Sequence, residues 1–245
     1  MHLKKALVTL MDERFFIGYE GFIKSFLYYN EWFNLPFIVL DLGISEETKD
    51  KMRALYDKVE FREVDKDKYR GVDFSKAASS LQNTFYTLDV FNQVDLDRIV
   101  FLDMDIVVLG SLKPLFDCEY DIAACHGYDS KHDKMRADIN SGVFVLNKKY
   151  INNRTYEGIL QVIKKGYSMP DQKAINIYFK GKIHILDKRY NVEKRMLTTM
   201  KFKNILKEAK IIHFVASKPW DNDKPLPEQR YGELEDMWWK HYNEC

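Results

Sequence analysis

The sequence predicts an α/β domain built on a mostly parallel central sheet flanked by helices, and three observations carry that expectation. Short apolar runs of strand length alternate along the chain with longer amphipathic segments, the order that lays helices against a parallel sheet. Polar residues gather at or just after the apolar runs, at Thr9, Asp12, Asp41, Asp103, Asp105 and His213. Open sheets of this class bind ligands beyond the carboxyl ends of their strands, so these residues should converge on one edge. At 245 residues and 46% hydrophobic, the chain can also bury one large core.

The first strand is expected over residues 6–10 and a helix over 17–29, followed by a buried strand at 37–40 whose exit carries Asp41 and Gly43. Ser45, with Glu46 and Glu47 behind it, reads as the N-cap and acidic first turn of a helix running through Tyr56. A short strand at 59–64 leads into a charged loop, 65–74, and a helix over 77–91 delivers the chain to a strand at 99–102. After Gly110, residues 111–117 form a short turn or helix, 122–125 and 140–146 strands, and 156–166 a helix. Pro170 opens the next helix, which its fixed φ suits. Strands at 183–186 and 211–214 flank a poorly patterned stretch, and the Pro-rich KPWDNDKPLP leads to a terminal helix over 228–242.

Thirty-eight basic against 37 acidic residues leave a net charge of +1, which provides no field to gather a polyanion and argues against nucleic acid as a partner. Cys118, Cys125 and Cys245 are odd in number and form no CxxC pair, which argues against a disulfide framework or zinc knuckle and fits a reducing compartment. The N-terminal apolar run is short and meets Asp12 and Glu13 at once, so it reads as a strand and not a signal peptide. No run approaches the roughly 18 consecutive apolar residues of a membrane span. The expected location is the cytoplasm, with peripheral attachment to the inner membrane face as the alternative.

The stretch RIVFLDMDIVVLG, residues 98–110, sets two acids into an apolar run. Removing a carboxylate from water costs several kcal/mol unless a counter-charge meets it. On an extended segment Asp103 and Asp105 face one side and Met104 the other. Two carboxylates sharing a site repel, and a divalent cation relieves that repulsion. Hard oxygen ligands suit Mg²⁺ or Mn²⁺, and an imidazole such as that of His213 favours Mn²⁺. Taken alone, the acids are equally well matched with Arg98 or Lys113, and His213 with a satisfied core histidine.

Together, RIVFLDMDIVVLGSLKPLFD, INSGVFVLN, DQKAIN and IIHFVASKPW, after an N-terminal ALVTL, resemble the retaining glycosyltransferases of family 8, glycogenin-like and bacterial galactosyltransferase-like. The resemblance runs from about Lys5 to the Trp238 and Trp239 pair. It implies a nucleotide-sugar-binding GT-A fold in one domain, 1–245. Residues 1–110 would be its nucleotide-binding half, 111–220 its sugar and acceptor half, and 221–245 a tail and helix. It further implies Mn²⁺, with Mg²⁺ as the alternative, held by Asp103, Asp105 and His213 against the diphosphate of a UDP-sugar, with Lys218 on the phosphates. Thr9 and Phe15 would hold the uracil, and Met104 and Lys76 would belong to the same donor site. Asp171 would bind sugar hydroxyls and Gln172 lie near the anomeric carbon, while Asn140 and Ser141 line the sugar and acceptor. The implied reaction moves glucose or galactose to a glycan or lipid-linked glycan.

Three features depart from the family pattern. Ala216 takes a glycine's place in a shortened turn between His213 and Lys218, Thr87 stands where a basic residue is usual, and TLMDERF is short for the uracil loop. Lys76 is the candidate replacement for the missing basic residue. Two alternatives remain at this level: a nucleotide-sugar-binding module that lost turnover, and a haloacid-dehalogenase-like phosphatase suggested by FLDMDIV. Trp238, Trp239 and Tyr242 either cap the core or meet a membrane surface or acceptor.

Overall fold

The structure is a computed structural model that describes residues 3–165, 170–199, 203–225 and 229–244. Its elements are β1 (Lys5–Met11), a 3₁₀ turn (Glu13–Phe15), α1 (Phe16–Tyr29), β2 (Phe37–Asp41), α2 (Glu46–Leu55) and β3 (Val59–Glu63). A 3₁₀ segment (Ser79–Asn92) then precedes β4 (Arg98–Leu102), β5 (Ile106–Val108), α3 (Lys113–Asp117), β6 (Ile122–Asp129) and β7 (Lys134–Asn147). There follow α4 (Asn153–Ile163), α5 (Pro170–Tyr178), β8 (His184–Ile185), β9 (Val192–Glu193), β10 (Ile211–His213) and α6 (Gly232–Glu244).

The main sheet has the order β3-β2-β1-β4-β7-β6-β8. β3, β2, β1 and β4 run parallel, β7 is antiparallel to both neighbours, and β8 is parallel to β6. Alternating side chains of each strand supply opposite faces. Ala6, Val8, Ile99 and Phe101 join one core cluster with α4 and α5, while Leu7, Val100 and Leu102 join another with α1, α2 and α3. Burial on both faces explains why these strands read as continuous apolar runs.

A second sheet, β5-β10-β9, changes the meaning of residues 98–110. They are not one strand carrying two acids. β4 ends at Leu102 in the first sheet and β5 begins at Ile106 in the second, so Asp103 to Asp105 form the crossing between sheets. The carboxylates thus sit where the ladder is interrupted, and only the Asp103 N–H still reaches β7, donating to Gly142 O at 2.8 Å.

Other boundaries differ for local reasons. The helix expected over 77–91 is wound as 3₁₀ turns over Ser79–Asn92. Its polar side chains compete for the backbone, as when Thr84 donates to Leu81 O (2.8 Å) and Gln93 to Asp89 O (2.9 Å). β7 starts at Lys134, earlier than expected, because a polar first half pairs with β6 as an antiparallel ribbon. The expected end of α4 at Gly166 and start of α6 at Glu228 lie outside the described residues, as does Cys245. Cys118 and Cys125 are free thiols.

Trp238 is fully buried in a third cluster that joins α6 to the small sheet. A Cβ on Gly21 of α1 would lie 2.2 Å from Trp238 Cζ2, so the two helices meet through that glycine. Tyr242 stacks on Trp238 at 5.3 Å and donates to Glu20 at 2.9 Å. These contacts favour the core role for Trp238 and Tyr242. Among the described residues no helix is long and apolar enough to cross a membrane.

Candidate functional site

The antiparallel pairing of β5 with β10 sets His213 opposite Ile106, directly beside the sheet crossing. Phe214 N donates to Asp105 O at 2.8 Å and fixes the register one residue further on. His213 Nε2 then lies 3.1 Å from Asp105 Oδ1 and 3.6 Å from Asp103 Oδ2. One ligand atom from each of the three residues lies within 4.8 Å of the others. Two hard carboxylate oxygens with one imidazole nitrogen suit Mn²⁺ or a similar divalent ion, so the donor set fits the metal the sequence implies.

Electrostatics agree with a shared cationic centre. Burial opposes charge on the His213 imidazole, but Asp105 and Asp103 outweigh it and hold its pKa above the usual value. Removal from water and repulsion from Asp105 push the Asp103 carboxyl up. Burial acts in the same sense on Asp105, yet Lys218 and His213 pull that carboxyl below its ordinary range.

Lys218 Nζ forms an ion pair with Asp105 and lies 3.4 Å from Phe214 O. The intervening turn is held by Lys194, whose buried ammonium donates to Ser217 O at 2.6 Å and lies 4.7 Å from the Tyr231 ring centroid. Ala216 adopts φ 68°, the left-handed conformation for which glycine is suited. An L side chain there costs roughly 1–2 kcal/mol. Ala216→Gly should therefore stabilise the protein by about 1 kcal/mol after the added unfolded-state entropy, raising Tm by ~2–4 °C. Thermal unfolding of the two proteins checks this, and a lower Tm would show that the turn carries no such strain.

On the same edge, Ser141 Oγ donates to Asp171 Oδ2 at 2.7 Å, and burial raises the Asp171 pKa. Asp171 is close enough to Asp103 to raise that carboxyl's pKa in turn. Gln172 is buried, and its carbonyl accepts from Asn176 Nδ2 at 2.8 Å. Asn176 also bonds the N–H and carbonyl of Ile139, at 2.8 and 3.1 Å, which locks α5 onto β7. Asn140 turns its Oδ1 to Gly142 N and Asn191 Nδ2, each at 2.9 Å.

The remaining expected residues have separate placements. Thr9 is fully buried in β1 and its hydroxyl has no hydrogen-bond partner among the described residues. Phe15 packs against the core and edge-on to Trp220 at 6.1 Å. The Met104 side chain is buried in the core. The side chain of Lys76 lies outside the described residues.

A family model described as glycosyl transferase family 8 matches residues 6–224. The chain belongs to glycosyl transferase family 8. It is 23% identical to glycosyltransferase GlyF of Streptococcus pneumoniae serotype 4 (strain TIGR4), covering 97% of this chain and 61% of GlyF. It is 24% identical to lipopolysaccharide 1,2-glucosyltransferase of Escherichia coli K12, covering 94% of this chain and 77% of that protein. The crystal structure of the galactosyltransferase LgtC with donor and acceptor sugar analogs shares the fold, with TM-score 0.69, 21% identity and 95% of each chain covered. The architecture is thus the GT-A type. The family match sets aside the phosphatase alternative, whose nucleophile would follow a first strand, whereas Asp103 follows β4.

In this family 8 chain, Asn191, Glu193 and Lys194 were missed by sequence reasoning. Asn191 Oδ1 lies 2.9 Å from His213 Nδ1. Glu193 pairs with His213 in the β9–β10 register, is buried with a raised pKa caused by that burial, and accepts from Tyr128 N at 3.0 Å. All three belong to a stretch without apolar periodicity. The only local signal is a run of polar residues too short to announce that it is buried.

Proposed function

We propose that this family 8 chain moves a hexose, glucose or galactose, from a UDP-sugar to a glycan or glycolipid acceptor with retention of anomeric configuration. The observation that carries the reading is the convergence of Asp103, Asp105 and His213 within 4.8 Å, beside the Ser141–Asp171 pair. These three residues would hold Mn²⁺, or Mg²⁺ in its place. A divalent ion there supplies positive charge to the diphosphate as it leaves. Lys218 exchanges its Asp105 partner for the phosphates and stabilises the same developing charge.

Phe15 would stack on the uracil and Lys76 reach the donor, whereas the buried side chains of Thr9 and Met104 take no contact with it. Asp171 accepts hydrogen bonds from the sugar hydroxyls, and Gln172 lies near the anomeric carbon. A carboxamide is a poor nucleophile, which favours a front-face route over a covalent glycosyl-enzyme. The bond from the anomeric carbon to UDP breaks, the acceptor oxygen bonds on the same face, and its proton passes to the departing phosphate. Residues 1–110 form the nucleotide-binding half, 111–220 the sugar and acceptor half, and 221–245 the tail.

A relative named as a lipopolysaccharide glucosyltransferase supports a lipid-linked glycan acceptor. A UDP-sugar panel scored by UDP release, with Mn²⁺ and with EDTA, tests the reading. UDP-glucose or UDP-galactose should be turned over only with metal. Nucleotide binding without release from any donor would replace it with the binding-module alternative.

A further inference from the structure

Asn191 lies outside every motif, yet it is 1% exposed and touches the His213 imidazole. A carboxamide's oxygen and nitrogen are distinguished by what they bond, and here a backbone group distinguishes them. The Gly142 N–H can only donate, so the Asn140 atom that it meets at 2.9 Å is the oxygen. Asn191 approaches that same oxygen at 2.9 Å and must present its NH₂ to it. The Asn191 oxygen therefore faces His213 Nδ1, at 2.9 Å. An amide oxygen only accepts, so Nδ1 carries a proton.

The neutral ring then keeps its lone pair on Nε2, the nitrogen that faces Asp105 Oδ1 at 3.1 Å and Asp103 Oδ2 at 3.6 Å. A lone pair aimed at two carboxylates is repulsive unless a cation lies between them. The opposite tautomer would set the Nδ1 lone pair against the Asn191 oxygen. We infer that Asn191 is a positioning residue. Through Asn140 it passes the polarity of the Gly142 N–H to His213, fixing the Nδ1–H tautomer and presenting Nε2 to a divalent ion. The inference rests on the metal-dependent reading above, and it assigns Asn140 a part in orienting the imidazole.

The test compares wild type, Asn191→Leu and Asn191→Asp by NMR of ¹⁵N-histidine-labelled protein, at a pH where the imidazole is neutral, and by titration with Mn²⁺ alone followed by EPR. Wild type should show Nδ1–H at His213. Asn191→Leu, with no acceptor on that side, should move the proton to Nε2 and bind Mn²⁺ about 10–100-fold more weakly. Asn191→Asp loses its donor to Asn140 Oδ1 but still accepts from Nδ1–H, so it should keep the tautomer. An Nε2–H ring in wild type or in Asn191→Asp overturns the relay, as does an unchanged tautomer in Asn191→Leu. If Asn191→Leu does not fold, the wild-type tautomer decides. A wild type that shows the Nδ1–H ring but binds no Mn²⁺ supports the relay and sinks the metal-dependent function instead.

Discussion

Asp105→Ala should lower Mn²⁺-dependent UDP release by at least about 10²–10³-fold, the usual cost of removing one group that stabilises developing charge. Asp105 is the most heavily used member of the site. Its side chain is 7% exposed, one oxygen faces His213 Nε2, and the other pairs with Lys218. Its loss would remove a candidate metal ligand and leave two cationic partners in a buried place without their anion. Breaking such a pair costs about 3–5 kcal/mol when it is fully buried, so thermal unfolding must accompany the assay. Asp105→Asn, which keeps the shape and one acceptor oxygen, separates loss of charge from loss of fold. A folded Asp105→Asn protein with an undiminished metal-dependent rate would sink the assignment.

Gly142→Ala should have the second largest effect, although it adds only one methyl group and changes no charge. The new Cβ would lie 2.3 Å from His213 Cε1 and 2.6 Å from Asp103 Oδ2. Neither neighbour can retreat cheaply, because His213 is tethered to Asn191 and the Asp103 N–H is tethered to the Gly142 carbonyl. Overpacking of this kind costs about 1–3 kcal/mol, and displacement of two of the three candidate ligands should weaken Mn²⁺ binding by at least about tenfold. Gly110→Ala is the control. Its Cβ would meet Lys210 Cδ at 2.7 Å, a flexible side chain that can swing aside. Wild-type Mn²⁺ affinity in Gly142→Ala would show that the glycine does not set the approach of β7 to the site.

Gly142 and Ala216 also show how far a sequence can be read. Gly142 stands inside NSGVFVLN, so its motif is visible, but nothing in the motif says that its missing side chain makes room for His213. Ala216 was legible as a residue in a glycine's place within a shortened turn, but its left-handed φ of 68° became visible only in the fold. Asn140 was visible as a polar residue opening an apolar strand, with a sugar-lining role implied by resemblance. Its contacts with Gly142 N and Asn191 Nδ2 became apparent only when residues far apart in the chain were brought together.

Asp103, Asp105 and His213 came together as one candidate set only through resemblance to the family, whereas the sequence by itself determined the alternation of strands and helices and the apolar character of strands buried on both faces. Those features are written in local period and residue type, which act over a few neighbouring positions. Tertiary structure alone decided that the two aspartates sit at a crossing between sheets, that Trp238 fills the space above Gly21, and that Asn191 and Glu193 are buried beside the imidazole. A polar side chain can be buried only when its partners arrive to satisfy it. Here those partners come from strands distant in the chain, and the pairing of β5, β10 and β9 is what delivers them.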